Sequence, residues 1–141
     1  MVISGRSAST VPRTATVMDV IRTMAGAKVG CVLVVDGDRL LGIFSERDVM
    51  LRVVQEGRHP EHTTVEEVMT SSVQTISPET TADSALRIMH QSHIRHLPVV
   101  DRSGRVLSVV TMRHLLQEKI EELNIQLDSL ESYITADGIG G

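Results

Sequence analysis

A near-duplication constrains this 141-residue chain more than any other feature. Thr16-Val17-Met18-Asp19-Val20-Ile21-Arg22-Thr23-Met24 aligns with Thr81-Ala82-Asp83-Ser84-Ala85-Leu86-Arg87-Ile88-Met89, and Val32-Leu33-Val34-Val35-Asp36 with Leu97-Pro98-Val99-Val100-Asp101. After one inserted residue, Arg39 to Asp48 falls on Arg105 to His114. The offset is 65 residues before the insertion and 66 after it. A duplicated unit packed on its own copy follows.

Each copy reads alike. Val17, Val20, Ile21 and Met24 share one helical face, as do Ala85, Leu86, Ile88 and Met89. A wholly apolar strand follows, then a tight turn at Asp36-Gly37-Asp38 or at Asp101 to Gly104, a second strand and a closing helix. Strands apolar throughout are buried on both faces. A short helix at Val65 to Met69 and a strand at Val73 to Ile76 are expected ahead of the second copy. The fold class is α/β (α+β): two pseudo-symmetric β-α-β-β-α units at residues 9–56 and 69–117, joined by a linker at 57–68. A C-terminal amphipathic helix at 118–136 completes the chain.

Gly42-Ile43-Phe44-Ser45-Glu46-Arg47-Asp48-Val49 runs from a strand end into a helix start, with Ser45 at the N-cap position and a helix continuing through Val54. Such a junction leaves backbone N–H groups facing outward, which favours an anion. Ser45 adds a hydroxyl, Arg47 a positive charge, and Asp48 a carboxylate suited to a ribose diol. Ser45-x-x-Asp48 is equally a capping box, and the same spacing recurs at Thr16-x-x-Asp19 and Thr64-x-x-Glu67.

Composition narrows the function. A net charge of −4, one Phe, one Tyr and no Trp argue against a nucleic-acid binder. The single cysteine, Cys31, sits in an apolar run, reads as a buried thiol and implies a reducing compartment. Met1 to Thr10 is Ser-rich without an apolar core, so no signal peptide is expected. No apolar run is long enough for a membrane span, and the expected location is cytoplasmic.

Leu116, Ile120, Leu123, Leu127, Leu130 and Ile134 are spaced 4, 3, 4, 3, 4, an unbroken a/d seam. The helix that carries it either lies against its own domains or pairs with the same helix of a second subunit. Asp137 to Gly141 reads as a frayed end.

From Ser9 to Gln117 the copies resemble a tandem pair of cystathionine-β-synthase (CBS) domains. The signatures are Ile94-Arg95-His96-Leu97-Pro98-Val99-Val100-Asp101 and Gly42 to Val49, and the Ser-Glu-Arg-Asp wording with a heptad-like tail resembles the small stand-alone bacterial type. The resemblance implies a regulatory module rather than an enzyme, with adenosine-containing ligands in clefts between the copies. It implies that Ser45 holds phosphate, Asp48 holds the ribose, and Arg95 and His96 of the second copy reach the phosphates, with Arg47 in the same cleft. The ligand expected is an adenine nucleotide (AMP, ADP or ATP) or NAD(H), with adenine held by aliphatic walls because aromatic platforms are lacking.

The second cleft departs from the family pattern. Ser108 stands at its Gly position, His114 at its Asp position, and Gly30 and Cys31 at the places of Arg95 and His96, so only Thr111 and Arg113 remain. A weak or empty site is expected there. His90, His93 and His96, with His59 and His62 in the linker, do not complete a metal-ligand set, and no nucleophile–base spacing points to catalysis. A homodimer through the CBS helices and an effector protein are the expected partners. The competing reading is a ligand-free dimerisation scaffold with a vestigial cleft.

Overall fold

The computed structural model describes residues 7–134. The expectations for Met1 to Arg6 and for Asp137 to Gly141 fall outside them.

The first copy comprises β1 (Thr10–Pro12), α1 (Val17–Ala27), β2 (Cys31–Asp36), β3 (Arg39–Ser45) and α2 (Glu46–Asp48). The helix started by α2 continues as a π-helix over Val49–Val54, where the sequence alone led us to expect ordinary α-helix. After α3 (Val65–Val68), the second copy supplies α4 (Ala82–Ser92), β4 (His96–Val100), β5 (Val106–Thr111) and α5 (Met112–Ile134).

Local chemistry explains why the copies match. Thr16 caps α1 by accepting from the Asp19 N–H at 3.1 Å, and Thr81 caps α4 by accepting from the Ser84 N–H at 3.1 Å. The helices stop at Lys28 and His93, each left-handed with φ 55°, which lets its N–H return to the Met24 or Met89 carbonyl. His93 is therefore the C-cap of α4 rather than part of its last turn.

β1 pairs parallel with β2, and β2 antiparallel with β3; β4 pairs antiparallel with β5. The ladders are irregular at equivalent places, between Val34 and Val35 and between Val99 and Val100. The strand expected at Val73 to Ile76 contracts to one parallel bridge, Ile76 to Val99. It occupies the place in the second copy that Val11, opposite Val34, holds in the first.

Each copy buries its own core. Val17, Val20, Val32, Val34, Phe44 and Val53 pack with α3 residues Val65 and Val68 in the first; Ala85, Met89, Leu97, Val99, Val110 and Leu115 pack in the second. The copies meet across a pseudo-symmetric seam. Arg39 bridges Arg105, the Val106 N–H donates to the Asp38 carbonyl at 2.9 Å, and the Arg105 guanidinium lies 3.4 Å from the Asp38 carboxylate. The chain leaving α3 crosses β3 at Thr70, which exchanges two backbone hydrogen bonds with Ile43.

Candidate functional site

A cavity of about 950 Å³ opens between the copies. That lies within the roughly 300–1,000 Å³ range of small-molecule sites. Ser45, Arg47 and Asp48 line it from the first copy, and Arg95 and His96 from the second. All five residues named from the sequence thus face one space, although they come from motifs about fifty residues apart.

Ser45 ends β3 and opens α2 in extended conformation. Its N–H donates to Asp48 Oδ2 at 2.9 Å, its hydroxyl donates to the same oxygen at 3.1 Å, and the Asp48 N–H approaches Ser45 Oγ at 3.4 Å. The capping box is therefore complete. The Glu46 N–H is also taken, by the Gly30 carbonyl at 3.0 Å. This narrows the expectation of free backbone donors for an anion. The N–H groups of Ser45, Glu46 and Asp48 are spent on the cap and on the chain entering β2, which shifts charge recognition toward side chains.

Asp48 keeps its second oxygen. Oδ1 lies 3.6 Å from Arg52 Nε, and the side chain is only 17% exposed. Arg52 is the better-anchored partner: its Nη1 donates to the Val68 and Met69 carbonyls at 3.2 and 3.1 Å, tying α3 to the helix that carries Asp48. Sequence reasoning missed Arg52, although its i,i+4 spacing from Asp48 was a readable signal.

Arg95 precedes β4 rather than lying within it, and its carbonyl accepts from the Met112 N–H at 2.8 Å. Gly30 and Glu46 hold the equivalent bond in the first copy. Among the described residues neither Arg47 nor Arg95 is held in an ion pair. The His96 pKa is lowered below 6.5, chiefly by burial, with the Arg95 charge acting the same way and Glu46 opposing them. His96 is thus neutral at pH 7, and negative charge placed beside it favours its protonated form.

Glu46, Gly30, Thr70, Ser72 and Gln74 also line the cavity and were not named as its residues from the sequence. Gly30 is informative. Matched to the second cleft by alignment, it lines the first: a side chain there would meet the Glu46 carboxylate at 3.0 Å and His96 Nε2 at 3.5 Å. Cys31 follows it, buried, with its thiol pushed up to about 12 by burial and by the Asp48 charge.

Thr111, Arg113 and His114 line neither this cavity nor a smaller one of about 270 Å³ between Arg39 and Gly104. Thr111 Oγ1 caps α5 by accepting from the His114 N–H at 3.1 Å, while His114 Nε2 lies 3.1 Å from Glu118. Where the first copy presents a carboxylate, the second presents an imidazole engaged with its own helix. Among the described residues no group of three or more His, Cys, Asp or Glu is gathered to hold a metal, and the His59 and His62 rings lie tilted at 51° with centroids 5.6 Å apart.

A family model for the CBS domain matches residues 4–55 and again residues 65–121. The chain belongs to the CBS domain family. Its two repeats make a CBS pair, a regulatory module. It is 35% identical over 130 residues to the CBS domain-containing protein CBSCBSPB2 of Arabidopsis thaliana, covering 92% of this chain and 24% of that one. The chain thus spans about a quarter of that relative's length. A solved protein with CBS domains from Burkholderia ambifaria matches at TM-score 0.78 and 37% identity, covering 83% of this chain and 85% of that one. A CBS domain protein of Pyrobaculum aerophilum complexed with AMP matches at TM-score 0.72 and 25% identity, covering 79% and 85%. Among the described residues no helix of this CBS pair is long and apolar enough to cross a membrane.

Proposed function

We propose that this CBS pair senses an adenosine-containing ligand, AMP, ADP, ATP or NAD(H), in the cavity between its copies and passes the change to an effector protein. One observation carries the reading: a single cavity collects Ser45, Arg47 and Asp48 from one copy and Arg95 and His96 from the other. Two guanidiniums and an imidazole that protonates beside negative charge suit a phosphate. Asp48 Oδ1 suits ribose hydroxyls, with Arg52 yielding part of its contact. The likeness to the AMP-bound Pyrobaculum aerophilum protein supports the ligand class. Because ligand would touch both copies, binding shifts their packing, and that shift is the signal. The role is regulatory, not catalytic, and the compartment is the cytoplasm. A homodimer through the CBS helices is the expected assembly.

A second reading rests on the completed Ser45–Asp48 box. Those residues have a structural use without any ligand, which supports a dimerisation scaffold with a vestigial cleft.

Calorimetric titration with AMP, ATP, NAD, NADH and S-adenosylmethionine separates the two. Sensing requires one ligand to bind at one per chain, and Arg95→Ala to weaken ATP more than AMP while leaving adenosine nearly unchanged. If none of the five binds, the scaffold reading takes over.

A further inference from the structure

Only Leu115, next to the start of α5, is buried on that helix. The base of the helix is fixed by Leu115 in the second core and by Lys119 Nζ, 3.1 Å from Asp83 on α4. The six seam residues, Leu116 within that base and five beyond it, remain between 40% and 59% exposed, so the helix does not lie along its own domains. A long apolar seam in water requires a cover.

The seam's chemistry says what covers it. Ile120, Leu127 and Ile134 occupy a positions, and Leu116, Leu123 and Leu130 occupy d positions. Isoleucine at a with leucine at d favours two parallel strands. The flanking e and g positions carry Gln117, Lys119, Asn124, Gln126, Glu131 and Tyr133. In a parallel pair Lys119 faces Asn124 of the other helix and Gln126 faces Glu131, so no like charges meet. Glu118, Glu121, Glu122 and Asp128 all fall on the b, c and f faces, away from the seam. With Glu131 the only acid of α5 beside the seam, the helix is suited to its own copy; a basic partner would find little opposite charge beside the apolar stripe.

We infer that α5 pairs in parallel and in register with α5 of a second copy, forming a two-stranded coiled coil of about two and a half heptads. The pairing holds the two CBS pairs at the same end of the assembly. It is independent of any contact between the CBS helices and of whether the cavity binds a nucleotide.

Cysteine cross-linking of the full chain tests it, because the resident Cys31 is buried. Leu130→Cys places thiols face to face in the parallel pair, whereas Ser132→Cys places them on the outer face. Under mild oxidation Leu130→Cys should form covalent dimer at least tenfold faster than Ser132→Cys, and the positions are exposed enough that folding is not at risk. Equal rates for the two variants, or a chain that stays monomeric, would overturn the pairing. A mixture of Ile120→Cys and Leu130→Cys chains that links to each other faster than Leu130→Cys links to itself would make the pair antiparallel and overturn the orientation.

Discussion

Asp48 Oδ2 accepts two hydrogen bonds from Ser45, one from its N–H at 2.9 Å and one from its hydroxyl at 3.1 Å, while Oδ1 lies 3.6 Å from Arg52 Nε and the residue lines the cavity. One carboxylate thus closes a helix cap and supplies a wall of the cleft. Removing it tests both uses. Asp48→Ala should lower stability by about 1 kcal/mol through the lost cap and abolish nucleotide binding. Asp48→Asn, which keeps an acceptor, should recover most of the stability and little of the binding. Thermal unfolding followed by circular dichroism, with titration of the folded variants, separates the effects. Full binding by folded Asp48→Ala would restrict Asp48 to its cap.

His96 makes acid costly to the unliganded fold. Its folded pKa lies below the unfolded value of 6.5, so the unfolded chain takes up the proton first. The contribution is therefore absent above 6.5 and destabilises the fold as pH falls from 6.5 through the lowered value. In chemical denaturation between pH 7.5 and 5, His96→Gln should flatten part of the acid loss. A phosphate ligand reverses the preference, so its affinity should rise over the same interval. An unchanged pH profile in His96→Gln would count against both.

Gly42 lies where the chain leaving α3 crosses β3. A Cβ there would meet the Thr70 carbonyl oxygen at 2.9 Å and the Met69 side chain closer still, in a place that Arg52 also clamps. Gly42→Ala should cost about 1–3 kcal/mol, as overpacking does. Gly26→Ala is the control: nothing lies within 4 Å of its Cβ position in α1, and it should stabilise by roughly 0.5–1 kcal/mol. Urea midpoints of the two variants should move in opposite directions.

The Cys31 thiol, pushed up to about 12, should resist thiol reagents in the native protein at pH 8 and react at once after denaturation. Fast native labelling would mean that the edge of the cavity at Gly30 opens readily.

The repeat was legible because both copies use the same helix faces, caps and apolar strands: α1 maps onto α4 residue for residue, down to the left-handed Lys28 and His93. The leading strand of the first β-α-β-β-α unit was expected but without bounds, because its three residues, Thr10 to Pro12, carry no usable period. The expected strand at Val73 to Ile76 overstated the pairing, since only Ile76 bridges, to Val99, while Val73 and Gln74 line the cavity. The five residues first assigned to the cleft were legible from two family signatures, but Gly30, Glu46 and Arg52 were not. Alignment states which positions correspond in two copies; it does not state that Gly30 reaches across to His96 of the other.

The Arg95 carbonyl and the Met112 N–H share one hydrogen bond of 2.8 Å, so the cavity rim is fastened to the root of α5. At 1.5 Å per residue its 23 residues reach about 35 Å. A tilt of about five degrees at Met112 then swings the far end by about 3 Å, close to half a helical turn. The root of the tail sits one hydrogen bond from the guanidinium-bearing residue of the cleft, so a small movement at the rim, if passed to the helix, would be magnified at its tip.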